Sequence, residues 1–176
     1  MSETRSGYRS SMSGLVGALL VSLALIGCFF AFSFFQRGSS TDPAPTVDYT
    51  GVLAQARSQA PFPVLAPTSL PAGWRATSVD WSGSGPENSW HLGLLTSQDA
   101  YVGLEQGNAT AQSFISEHTR ANQPGAPVQI AGQTWQTLTA GSETALVLTG
   151  EGVTTVVTGT ASESQLVAFA ASLSAS

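Results

Sequence analysis

TALVLTGEGVTTVVTGTASESQLVAFAASL, residues 144–173, sets the fold. Two runs rich in β-branched residues, TALVLT and VTTVVTG, flank the Gly-containing turn GEG, the pattern of a β-hairpin. Beyond Ser162 the period changes. Leu166, Phe169, Ala170 and Leu173 recur at i, i+3, i+4 and i+7, which is one face of a helix, and Ser162 is placed to cap its free backbone N–H groups.

Upstream, the same order of elements occurs once more. SWHLGLL, a turn at TSQD and AYVGLEQ form a hairpin, and the helix TAQSFISEH follows Asn108 as its capping residue, with Ala111, Phe114, Ile115 and His118 on one face. Identity between the two units is low, so duplication is suggested by element order alone. Between them, APVQI, a turn near Gly132 and QTWQTLTA form a further hairpin. WRATSVDW, residues 74–81, reads as a strand, and SGSGPENS after it as a loop. Tyr49, Val52, Leu53 and Ala56 mark a helix that stops before Pro61, and the proline-rich FPVLAPTSLPAG is extended. These elements predict an α+β domain over residues 46–176, an antiparallel sheet of about seven strands with helices packed on one face.

Residues 14–35, GLVGALLVSLALIGCFFAFSFF, contain no charge. As a helix this run extends about 33 Å, the thickness of a bilayer's hydrocarbon core, and a helix satisfies its backbone polar groups internally in lipid. The expectation is one N-terminal transmembrane helix. Arg5 and Arg9 precede it, whereas Asp42 and Asp48 follow Arg37, so residues 1–13 are expected in the cytoplasm and the C-terminal domain outside. Two other readings stand beside the plain anchor. Leu25-Ile26-Gly27-Cys28 matches a lipoprotein pattern letter by letter, although FFAFSFF after the cysteine is unlike a polar tether. Ala31-Phe32-Ser33 has the small-x-small form of a signal cleavage site. All three readings put the rest of the chain outside the cytoplasm. Residues 36–45, QRGSSTDPAP, have the composition of a flexible linker and span at most about 35 Å, which keeps the domain near the membrane.

The chain has no lysine and a formal charge of -5. Beyond Gly38, ten acidic residues face three arginines. Without clustered cations, nucleic acid is not an expected partner. With its one cysteine at position 28, the domain has neither a disulfide nor a thiolate metal site, and its stability must come from a core.

Catalytic signals are sparse. Of the two histidines, His91 lies between Trp90 and Leu92, where alternation turns it to the opposite face, and His118 closes a helical apolar quartet. Both read as structural. No G-x-S-x-G occurs, and the acidic residues are scattered singly, so no catalytic residue, metal site or cofactor is expected. Trp74, Trp81, Trp90 and Trp135 are candidates for a ligand or partner surface, and equally for filler of the sheet–helix interface. Arg75 beside Trp74 can stack on a ring or bind a carboxylate. Cys28 is a lipidation candidate only under the lipoprotein reading.

VDYTGVLAQARSQAPFPVLAP, LPAGWRATSV, YVGLEQG, GQTW and the closing hairpin and helix together resemble the actinobacterial domain of unknown function 4245 family. The resemblance runs from Val47 to Leu173 and fits the preceding span. It implies a single-span, membrane-anchored extracytoplasmic protein of high-GC Gram-positive bacteria, and it implies no activity and no catalytic residue. The functional expectation is therefore a non-enzymatic binding or interaction module of the cell envelope that meets an envelope protein or a cell-wall component. The alternative is a carrier or sensor of an apolar small ligand held between sheet and helices, with Ala168, Ala170 and Ala171 leaving room beneath the last helix.

Overall fold

Alternating apolar residues in successive hairpins give a sheet with two distinct faces, and helices pack on both. The computed structural model describes residues 45–83, 85–150 and 152–175, which belong to one compact unit, Ala44–Ser176. The expected transmembrane helix, Cys28 and nearly all of the linker lie outside the described residues. Among those described, no helix is long and apolar enough to cross a membrane.

Helix α1 (Thr50–Gln59) comes first, followed by strand β1 (Ala66–Pro67) in the proline-rich segment. Strands β2 (Arg75–Ser82), β3 (Ser89–Leu95) and β4 (Tyr101–Gly107) lead to helix α2 (Ala111–His118). Short strands β5 (Gln123–Pro124) and β6 (Val128–Ile130) precede β7 (Gln133–Ala140), β8 (Glu143–Gly150) and β9 (Val153–Gly159). Helix α3 (Glu163–Ala171) and β10 (Leu173–Ser174) close the described chain. The main sheet is antiparallel in the order β2-β3-β4-β9-β8-β7-β5, with β6 also paired to β7. The seven strands expected from sequence are all present. The structure adds β5 and a separate antiparallel pair, β1 with β10, which fastens the proline-rich segment to the C-terminus.

The helices do not share a face, which corrects the one-faced expectation. The register aligns Leu92, Leu104, Val157 and Leu146 across four strands, and these belong to a core that includes Ala56 of α1 and Leu166, Phe169 and Ala170 of α3. Their sequence neighbours point the other way. Val156 and Val147 form a second cluster with Ala145, Ala121 and Phe114 of α2. The reason is a phase difference. Gly107 and Gly159 end the two hairpins, and each is followed by three residues before the helix. Gly107, however, lies in phase with Glu105, whereas Gly159 lies in phase with Val157, so the two helices leave toward opposite faces. The Phe114 ring occupies the space where a Cβ on Gly107 would sit.

The caps differ as well. Ser162 Oγ accepts the Gln165 N–H at 3.3 Å, and Gln165 Oε1 accepts the Ser162 N–H at 3.1 Å, a complete capping box. Asn108 does not cap α2, whose N-cap residue is Thr110. Instead Asn108 Oδ1 accepts the Asn88 N–H at 2.6 Å and its Nδ2 donates to the Pro86 carbonyl at 3.2 Å, holding the loop after β2.

Candidate functional site

The second face of β2, β3 and β4 carries a polar cluster that starts from a defect in β2. Ala76 pairs with Leu94 and Ser78 with Gly93, so Thr77 is an extra residue, a β-bulge. Strict alternation cannot put both Ala76 and Val79 on the core face, because their positions differ by an odd number. The bulge does so, and it turns Ser78 and Asp80 to the opposite face. There Asp80 lies across from His91, and His91 lies across from Glu105. Gly93 leaves room for this cluster: a Cβ at that position would overlap Ser78 Oγ and stand 3.3 Å from His91 Nε2 and 3.4 Å from Tyr101 Cε2.

A chain of hydrogen bonds runs across the three strands. Ser78 Oγ is 2.7 Å from His91 Nε2, and His91 Nδ1 is 2.6 Å from Glu105 Oε1. The second Glu105 oxygen lies 3.5 Å from Nδ1 of His118, the last residue of α2. Glu105 is only 5% exposed, whereas the His91 side chain retains 29% exposure. The Glu105 hydrogen bond lifts the His91 pKa above the ordinary imidazole range; burial opposes the shift, and the charges of Glu105 and Asp80 add to it. Burial, with the charges of Glu105 and Glu143, pushes the Tyr101 phenol up to about 12, so it stays a neutral donor.

Beside this chain, a cavity of about 170 Å³ is lined by Tyr101, Glu105, His118, Glu143 and Thr158. Glu143 Oε1 accepts hydrogen bonds from the Thr119 hydroxyl at 2.6 Å, the Thr158 hydroxyl at 3.0 Å and the Arg120 N–H at 3.2 Å. Burial favours the neutral Glu143 carboxyl, but these donors and the Arg120 charge outweigh it and lower its pKa. A larger groove of about 740 Å³ runs between α2 and the β7 end of the sheet, past Ile115, Arg120, Gln136 and Leu138. Among the described residues, no group of three or more His, Cys, Asp or Glu is arranged to hold a metal ion.

The four tryptophans gather on the opposite face. Trp90 and Trp135 are buried in the main core, and Trp74 and Trp81 pack against it partly exposed. Trp90 Nε1 donates to the Leu65 carbonyl at 3.1 Å, and Trp81 Nε1 donates to Gln59 Oε1 at 3.0 Å. Trp74 stacks on Phe169 with ring centroids 5.9 Å apart. Arg75 binds a carboxylate, that of Asp99 at 2.9 Å. The indoles therefore join sheet to helices, and the cavities described above are lined by other residues.

Sequence reasoning passed over Ser78 and Glu105. Alternation does place His91 opposite Trp90, and the reversal at TSQD opposes His91 to Glu105. Only the bulge in β2 brings Ser78 within reach, and WRATSVDW has no letter that announces it. A serine hydroxyl, an imidazole and a carboxylate thus come together where no catalytic residue was expected.

Among curated proteins, none matches the chain. Residues 8–173 match the family described as Protein of unknown function (DUF4245). That match covers nearly the whole chain, and the protein belongs to this family.

Proposed function

We propose that this chain is a membrane-tethered, extracytoplasmic binding module of the cell envelope, which engages an envelope protein or a cell-wall component close to the bilayer. The uncharged run 14–35, the arginines before it and the short linker after it support the tether and its orientation. The observation that favours a macromolecular partner over an apolar ligand is the filled interior beneath α3. Trp90, Leu92, Leu166 and Phe169 are at most 1% exposed there and share one core with Ala170, whereas Ala168 and Ala171, expected to leave room beneath the helix, face outward. Recognition then falls to the surface.

Native mass spectrometry of the protein extracted gently from its own membranes tests both parts. The full chain, with or without Met1, accompanied by a reproducible non-covalent mass of protein or glycan size supports the reading. A chain that begins at Cys28 with added acyl mass replaces the helical anchor by a lipid one. The chain alone, from membranes in which it is abundant, overturns the binding role, and a bound mass of a few hundred daltons favours the apolar-ligand alternative.

A further inference from the structure

We propose that Ser78 is a reactive nucleophile toward short carboxylic esters, with His91 as its base and Glu105 as the group that orients the base. This goes beyond the binding role and does not rest on it, because it concerns the reactivity of one side chain and has a different readout.

The geometry supplies each requirement in turn. A nucleophilic serine needs a base within hydrogen-bond reach, and the base needs a third group that fixes its tautomer. Ser78 Oγ and His91 Nε2 are 2.7 Å apart. On its other side, His91 Nδ1 meets Glu105 Oε1 at 2.6 Å, and an ionised carboxylate accepts only from an N–H. In the neutral imidazole the proton therefore sits on Nδ1, and the Nε2 lone pair faces the serine hydroxyl. Glu105 is almost completely enclosed, so its charge acts on the imidazole with little screening from water. The bulge at Thr77 turns Ser78 to this face, and Gly93 gives its hydroxyl room over β3. Access comes from solvent, since the strand neighbours Asp80 and Ser82 on the same face are exposed.

The reaction balances without a further reagent. Ser78 Oγ attacks the ester carbonyl carbon as its proton passes to His91 Nε2. The carbon–alkoxy bond then breaks, and the alcohol leaves with that proton. Water, deprotonated by the same nitrogen, attacks the acyl-serine, releases the acid and restores Ser78. The net change is ester plus water to acid plus alcohol. The open sheet face favours a compact acyl group. Asp80 and Glu105 flank His91 with negative charge, so neutral or cationic esters are preferred over anionic ones.

The test uses the full chain in detergent micelles with 4-nitrophenyl acetate and a fluorophosphonate probe, followed by intact-mass and peptide mass spectrometry. The expected result is a single adduct on the peptide containing Ser78, formed at least about 100-fold faster than on the urea-unfolded chain. Ser78→Ala should remove the adduct, and His91→Gln should slow labelling about 100-fold or more. A trio that only cross-links the strands predicts wild-type labelling no faster than in the unfolded chain, and that result overturns the proposal without relying on any variant's folding. So does a dominant adduct on another serine, or undiminished labelling of Ser78→Ala.

Discussion

Replacing Gln106 by leucine isolates one clamp that fastens the proline-rich segment to the sheet. Gln106 is 1% exposed on the core face of β4. Its Oε1 accepts the Leu65 N–H at 2.6 Å, and its Nε2 donates to Thr155 Oγ1 at 3.1 Å and to the Pro63 carbonyl at 3.5 Å. The Leu65 carbonyl is held in turn by Trp90 Nε1 at 3.1 Å. Both ends of one backbone unit in an irregular segment therefore depend on side chains from the sheet. Leucine keeps much of the volume and removes every bond of the carboxamide. Stranding the Leu65 amide costs about 1–3 kcal/mol, and losing the two weaker bonds costs about 1 kcal/mol more. Better burial of an apolar side chain returns about 1 kcal/mol. The expected net loss is about 2 kcal/mol, which shifts the urea midpoint down by about 1 M at an ordinary m-value. Tryptophan fluorescence of the full chain in detergent reads the midpoint, and hydrogen exchange reads the Leu65 amide. Trp90→Phe removes the other half of the clamp, and its effect should couple with Gln106→Leu by more than about 0.5 kcal/mol. A midpoint shift below about 0.3 M with unchanged Leu65 protection refutes the clamp.

Three further outcomes follow from particular contacts. Gly107→Ala forces a methyl group into the Phe114 ring and should cost about 1–3 kcal/mol in urea unfolding, whereas a sheet with an open second face predicts almost none. Thr137 Oγ1 is buried without a hydrogen-bond partner among the described residues, so Thr137→Val should stabilise the domain by about 1 kcal/mol, and destabilisation would show that the hydroxyl is satisfied in solution. His91 faces Asp80 and Ser78 on β2 and Glu105 on β4, with His118 of α2 on the far oxygen of Glu105. Its folded pKa lies above the unfolded value of 6.5, so its stabilising contribution is complete below that value and is lost as pH rises through the folded value. Thermal melts across that window should show a decline that His91→Gln flattens. The labelling rate at Ser78 should move oppositely, rising as His91 becomes neutral.

Much of this architecture is legible in local pattern. The hairpins at TSQD and GEG, the helix after Ser162 with its capping box, and the helix around Ala56 each depend on residues within a few positions of one another, so short windows of sequence carry them. The assignment of Asn108 as a helix cap failed because its side chain is used by a loop 20 residues away, which no local window contains.

Composition and periodicity alone determined the uncharged N-terminal run, the acidic domain without lysine, the strand and helix order and the sides of Trp90 and His91. Those properties follow from which residues are present and from periods of 2 and 3.6. Tertiary structure alone decided that α2 and α3 cover opposite faces, that the tryptophans fill an interface, and that Ser78 joins His91 and Glu105. The first and the last of these turn on a single-residue shift of phase, at Gly107 against Gly159 and at the bulge beside Ser78. A shift of one residue reverses the face of every side chain beyond it while leaving hydrophobicity almost unchanged, and only the pairing of distant strands fixes it.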